Sequence, residues 1–228
     1  DGISLGTLSD SDSISDISAN LSIGGFPQAD DFTNGSIDEV AIYSYGKSAA
    51  EIYNDYINST YSALIYKDAL LYYHFDGDAT DATSNGNDGS VTGATVAGSG
   101  VIDQAYDFDG SGDRIEETDV EINTTVAVTY WAKMDSYGAS SGDYSAMFNL
   151  DGVYNALGVE HFTNGASGSR ALKFWGYSSG TIVQLNKDID ELGSTEAGFL
   201  GTWHHYAVMF SPGDHRLYID GVLVANDA

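Results

Sequence analysis

The chain has no cysteine among its 228 residues, so neither a disulfide framework nor a thiolate metal site is open to it, and its stability rests on its core or on a bound metal. Cations are scarce as well: 8 Lys plus Arg stand against 34 Asp plus Glu, a formal net charge of −26. Binding to duplex or single-stranded nucleic acid depends on neutralising phosphates with cations, so neither is a partner to expect, and an anionic membrane surface is disfavoured for the same reason. No apolar run approaches the roughly 20 residues that cross a bilayer, which argues against membrane insertion. No signal peptide opens the chain, and the abrupt start at Asp1-Gly2 reads as a repeat boundary. Proline is nearly missing too. With 2 Pro against 27 Gly, the turns are tight turns and bulges rather than polyproline linkers.

What is present points to a folded β protein. Hydrophobic residues make up 42%, and 16 Tyr, 9 Phe and 3 Trp argue against the disorder that so acidic a composition otherwise suggests. The acids are spread along the chain, as in a highly soluble, halophilic or marine protein. Short apolar or alternating runs, separated by Gly, Asn, Asp and Ser, predict strands at Ile37–Tyr43, Leu70–Phe75, Ala105–Phe108, Thr125–Met134, Ala146–Leu150, Ala156–His161, Ala171–Tyr177, Trp203–Phe210 and Leu217–Val224. That rhythm predicts an all-β, two-sheet antiparallel jelly-roll sandwich. One short helix is expected at 48–57, opened by Ser48 and Glu51 as a capping box, with Ile52, Tyr56 and Ile57 along one face. Residues 58–69 read as a connector, and the polar stretch Gly77–Gly100 as a long ordered loop.

Several phrases together resemble the laminin-G-like branch of the concanavalin A-like jelly rolls. Leu71-Tyr-Tyr-His-Phe-Asp76 followed by Asp81-Ala-Thr-Ser-Asn-Gly-Asn-Asp-Gly89 is similar to that family's opening strand and loop. Tyr106-Asp-Phe-Asp-Gly110, Asp113-Arg-Ile115 and Val126–Ala132 are similar to its next strands, and Gly201–Val208 with Arg216–Val224 to its most recognisable pair, turned at Asp220-Gly221. The family's closing elements should follow Val224. They stand instead at the front, as Leu21-Ser-Ile-Gly-Gly25, Gly35-Ser-Ile-Asp-Glu-Val-Ala-Ile-Tyr43 and the helix. Residues 1–57 therefore read as the closing strands and helix of one sandwich and 70–228 as the body of the next, completed by residues 1–45 of the same or a neighbouring copy. A tandem repeat cut out of phase and a circular permutation both give this order. The resemblance implies a non-catalytic structural repeat of an extracellular or cell-surface fibre, stalk or adhesin, whose partners are neighbouring copies. In that reading Tyr45, Tyr53, Tyr56, Tyr61 and Tyr66 pack between adjacent domains. A carbohydrate-binding module is the alternative and a glycoside hydrolase the remoter one.

Candidate chemistry is limited. Glu117, Asp119 and Glu121 have the alternation that puts three carboxylates on one strand face, as sandwich hydrolases require, but they lack large apolar neighbours, and the resemblance places them in a loop; no catalytic residue is assigned. The five His are scattered, and the neighbours His204 and His205 alternate across a strand, so they cannot share an ion. The resemblance implies a structural Ca²⁺ held by Asp38, Asp76, Asn85 and Asn87, to be weighed against an Asx-rich turn that satisfies its own backbone. Trp175, Tyr177 and Tyr154, with Tyr137, are the candidate sugar-stacking rings, while Trp131 and Trp203 are expected in the core. Asn20, Asn34, Asn58 and Asn123 begin glycosylation sequons.

Overall fold

The computed structural model describes residues 17–26, 31–57, 66, 68–122, 125–136, 144–152, 155–163, 170–178, 181–188 and 199–226. The elements in chain order are β1 (Ile17–Ile23), β2 (Gly25–Phe26), β3 (Asp31–Phe32), β4 (Asn34–Tyr43), α1 (Ala49–Ile57), β5 (Leu71–Tyr73), β6 (Ser90–Thr92), β7 (Thr95–Ala97), β8 (Ala105–Asp109) and β9 (Arg114–Ile122). They continue as β10 (Val126–Ser136), β11 (Tyr144–Gly152), β12 (Asn155–Thr163), β13 (Arg170–Ser178), β14 (Thr181–Asp188), β15 (His204–Ser211), β16 (Asp214–Ile219) and β17 (Val222–Asn226). The strands form a seven-stranded sheet, β14-β13-β12-β11-β1-β9-β6, and an eight-stranded sheet, β17-β16-β15-β10-β4-β8-β7 with β5 paired to β4. All the paired strands run antiparallel, and β2 and β3 make a small ribbon beside β11. This is the jelly-roll sandwich that the strand rhythm predicts, with α1 as the helix named among the described residues.

The two closing-motif strands occupy the middle of the sheets. β1 lies between β11 and β9, with Leu21 opposite Leu150 and Glu117. β4 lies between β10 on one side and β8 and β5 on the other. Alternating residues of both sheets fill the interior: Leu21, Ile23, Tyr73, Phe75, Phe108, Val128, Tyr130, Phe148, Phe174, Tyr206 and Phe210 are all buried in one cluster. Trp131 and Trp203 are not part of it, contrary to the expectation. Trp131 follows the core residue Tyr130 and so faces outward, half-buried, stacked on Tyr56 of the helix at 5.6 Å. Trp203 is half-buried ahead of β15, with Lys133 Nζ 5.5 Å from its ring centre.

The helix begins as its capping box requires: the Ser48 hydroxyl accepts from the Glu51 N–H at 3.3 Å, and the Glu51 carboxylate accepts from the Ser48 N–H at 2.8 Å. Ile52 then packs on Ala207 and Tyr218, on the outer face of the eight-stranded sheet. Farther along that face Tyr45 lies edge-on to Tyr43, and Tyr66 stacks on Tyr72 at 4.6 Å. Thus Tyr45, Tyr56 and Tyr66 pack on this chain's own sheet, Tyr53 is exposed, and Tyr61 lies outside the described residues. The Asp220-Gly221 hairpin has both residues at positive φ (49° and 73°), the turn that matches strand twist.

Two further expectations need correction. The Gly77–Gly100 stretch is not a loop throughout, since it contains β6 and β7 joined at Gly93 (φ 75°). The carboxylates at 117, 119 and 121 belong to strand β9, not to a loop.

Candidate functional site

β4 pairs with β8 through Asn34–Ile37 and with β5 through Val40–Ile42, so along this edge its partner changes at Asp38 and Glu39. On the other edge the register against β10 shifts at the same place, and Glu39 takes φ 52°. This β-bulge keeps both Ile37 and Val40 in the core although they are three residues apart, and leaves Asp38 and Glu39 outside it. The seam is closed by the turn after residue 99. Asp38 Oδ2 accepts from the N–H of Val101 at 2.7 Å and of Ile102 at 3.2 Å, and Oδ1 accepts from the Glu39 N–H at 3.0 Å. Asp76 Oδ1 accepts from the Gln104 N–H at 2.9 Å, which brings it to the same turn.

The seam concentrates negative charge in a buried place. Burial, reinforced by the neighbouring Glu39, pushes the Asp38 carboxyl up to about 8 against the pull of its backbone donors. Burial also raises Glu39, with His74 opposing and Asp76 and Asp103 adding to it. Glu39 Oε1 meets His74 Nδ1 at 3.3 Å, while its Oε2 is buried with no hydrogen-bond partner among the described residues. Three of the four non-glycine residues with positive φ among the described residues, Glu39, Phe75 and Asp103, lie at or beside these acids. Strained backbone of this kind gathers where the structure around it over-determines a site.

The other two expected metal ligands are elsewhere. Asn85 Nδ2 and Asn87 Nδ2 each donate to the Leu70 carbonyl at 2.8 Å, ahead of β5, whereas Asp76 lies beyond its other end. Their loop is organised around Asp81, which accepts from the N–H groups of Tyr72, Thr83 and Asn87 and from the Thr83 hydroxyl. The Asx-rich loop thus satisfies its own backbone, while Asp38 and Asp76 come together without it. Among the described residues no group of three or more His, Asp or Glu is arranged to hold a metal ion.

On β9 the register against β1 shifts between Ala19 and Leu21, so Glu117 pairs with Leu21 and Val120 with Ala19, and Val120 is buried in the core. The Glu117 charge lies near enough to the Tyr73 hydroxyl to push that group's pKa up further than burial alone.

The seven-stranded sheet brings together a different set. Trp175 stands opposite Gly158 and Gln184, Tyr177 opposite Ala156 and Ile182, and Asn149 opposite Gly158 and Ser22. Asn149 is buried with neither amide atom hydrogen-bonded among the described residues. Nothing in the sequence singled it out, because an Asn in a strand carries no spacing that announces an unpaired amide. Tyr154 and Tyr137 lie outside the described residues.

Among the histidines, His204 Nδ1 meets Asp220 Oδ2 at 2.8 Å, whereas His205 points under the helix, edge-on to Trp131 at 5.3 Å. No helix among the described residues is long and apolar enough to cross a membrane.

Comparison with known proteins agrees with the strand pattern. A family model for the concanavalin A-like lectin/glucanases superfamily, of laminin-G type, matches residues 107–228, more than half of the chain. No curated protein and no solved structure matches. With the sandwich topology, the Asp220-Gly221 hairpin and the matched strands in agreement, the chain belongs to the concanavalin A-like lectin/glucanase superfamily.

Proposed function

We propose that the chain is a non-catalytic structural repeat of a long extracellular or cell-surface fibre, stalk or adhesin, with neighbouring copies of itself as partners. The observation that carries this reading is the motif order, in which the family's closing strands β1 and β4 precede the body they belong to. Both close the sandwich of this same chain, so no neighbouring copy is needed to complete it, and a circular permutation gives the same order. Chain order of that kind is what a periodic sequence presents when it is read from the middle of a repeat. The register shift on β9 beside Glu117, which breaks the simple alternation of the three carboxylates, supports the non-catalytic reading. Two copies joined head to tail, measured by small-angle scattering, are expected to behave as a stiff rod about twice as long as one; a freely jointed pair overturns the reading.

The cation that suits this module is Ca²⁺ at the Asp38 seam. The buried, unpartnered Glu39 Oε2 among mutually repelling carboxylates supports it, because a hard divalent ion takes several carboxylate and carbonyl oxygens at once. Asp38 and Asp76 would contribute to its shell beside carbonyl oxygens, since among the described residues no three of these acids are arranged to hold an ion by themselves; Asn85 and Asn87, which turn N–H donors toward carbonyls, are left out.

A second reading, carbohydrate binding, is favoured by the register that sets Asn149, whose amide has no hydrogen-bond partner among the described residues, opposite Gly158, and Gly158 opposite Trp175, since rings beside polar groups hold sugars. A glycan array separates the two: a fibre link shows no strong sugar ligand, and binding lost in Trp175→Ala supports the lectin.

A further inference from the structure

Six large apolar side chains stand exposed among the described residues, and three of them fall on one side: Tyr53 (49%), Ile57 (49%) and Leu223 (45%), the last opposite Tyr218, on which the helix packs, while Val222 (62%), opposite the core residue Ile219, flanks them at the edge. Tyr53 and Ile57 are one turn apart on α1. The helix touches the hairpin closely, for a Cβ built on Gly221 would stand 2.9 Å from the Tyr53 ring. The patch is therefore continuous across α1 and the start of β17, and β17 is the outermost strand of its sheet. None of the devices that usually blunt an edge sits at its tip: Val222 to Asn226 contains no charge and no proline. A register shift near Val224 interrupts the free edge, so a long ladder to another strand is ruled out and side-chain contact is what the patch offers.

Charge selects the occupant. In a molecule of net charge −26, residues 52–57 and 221–226 hold one carboxylate, Asp55, and Lys47 holds it in a buried ion pair at 2.8 Å. A cationic partner would be drawn to the acidic remainder of the surface. A second, equally acidic copy is repelled there and can approach most easily where charge is missing. We infer that this α1–β17 patch is a two-fold contact between two copies of the chain, with Tyr53, Ile57 and Leu223 of each at its centre. Such a contact closes on itself, so it pairs chains side by side and goes beyond the fibre reading, which needs contacts along the chain.

Sedimentation velocity on the full chain over a range of concentrations tests this. The expected result is a monomer–dimer equilibrium that tightens as salt is raised, because screening removes the repulsion while the apolar contact remains; contact through opposite charges would loosen instead. Leu223→Lys and Tyr53→Glu are each expected to weaken association on the order of tenfold or more, with melting midpoints unchanged, while Val91→Lys at the opposite edge leaves it as it was. A wild-type chain that stays monomeric at every concentration and salt overturns the proposal. So does a dimer that survives both patch variants.

Discussion

Lys47 Nζ stands 2.8 Å from Asp55 Oδ2, with both side chains almost wholly shielded from solvent, and the same ammonium lies 3.7 Å above the Tyr43 ring. One cation thereby ties the helix to the outer face of the sheet. Burial outweighs the Lys47 charge, and Asp55 is still pushed up to about 6. Lys47→Ala leaves an uncompensated buried carboxylate and is expected to cost about 3–5 kcal/mol in urea unfolding, whereas the double change Lys47→Met with Asp55→Leu is expected to recover most of it. Equal losses in the single and double variants would show that packing, not charge, holds the helix.

His205 gives a pH dependence of defined sign. Burial beneath the helix pushes its imidazole from 6.5 down to about 3, Lys47 adding to the effect and Asp220 opposing it. The unfolded chain takes up a proton there below 6.5 that the folded chain refuses until about 3, so stability falls as pH drops through that window, by roughly 1.4 kcal/mol per unit at most. Asp38 and Asp55, whose folded values are raised, act in the opposite sense: their contribution is greatest in acid and is lost as pH rises. The measurement is therefore the difference between wild type and His205→Gln, which should grow smaller as the pH is lowered.

Calcium is expected to raise the melting midpoint, with about 2.7 kcal/mol of stabilisation at a hundredfold excess over the dissociation constant. Asp38→Asn and Asp76→Asn should each remove most of the shift, and Asn85→Ala should leave it. An unchanged midpoint between chelator and excess calcium would remove the ion from the seam.

Gly24→Ala tests the turn between β1 and β2. Gly24 has φ 82°, and an added Cβ would stand 2.2 Å from the Phe108 ring. A left-handed backbone and a core clash act together, so a loss of about 2–4 kcal/mol is expected. A loss below about 1 kcal/mol would mean that the ring moves freely.

The strand phrases, the capped helix and the Asp220-Gly221 hairpin were legible because each rests on local rules: alternation, a side chain reaching its own backbone three residues away, and a turn needing two positive φ angles. The bulges were not. Spacing puts Glu117, Asp119 and Glu121 on one face, and only the pairing with β1 reveals that Leu21 faces Glu117 while Ala19 faces Val120. Glu39 escaped notice for the same reason: in Gly35-Ser-Ile-Asp-Glu-Val40 it reads as an outward strand residue, and its burial depends on β8 giving way to β5 beside it. The placement of Trp131 was missed because its cover is the helix, a partner distant in sequence. Composition alone says that a tryptophan is buried, not on which side of the sheet.

The central position of β1 and β4 has a consequence for the order in which the chain is made. These strands leave the ribosome ahead of all their partners, so Leu21 must wait for Glu117 and then Leu150, and Ile37 for Tyr106 and then Ala132, before its pairing is complete. Until then Ile37, Val40, Ile42 and Tyr43, all destined for burial, are held in an open segment. Loop closure over so long a span is slow, and exposed strand edges invite pairing with another nascent chain. Translation speed and chaperone supply, rather than the final contacts, would then set how much of the chain reaches the closed sandwich.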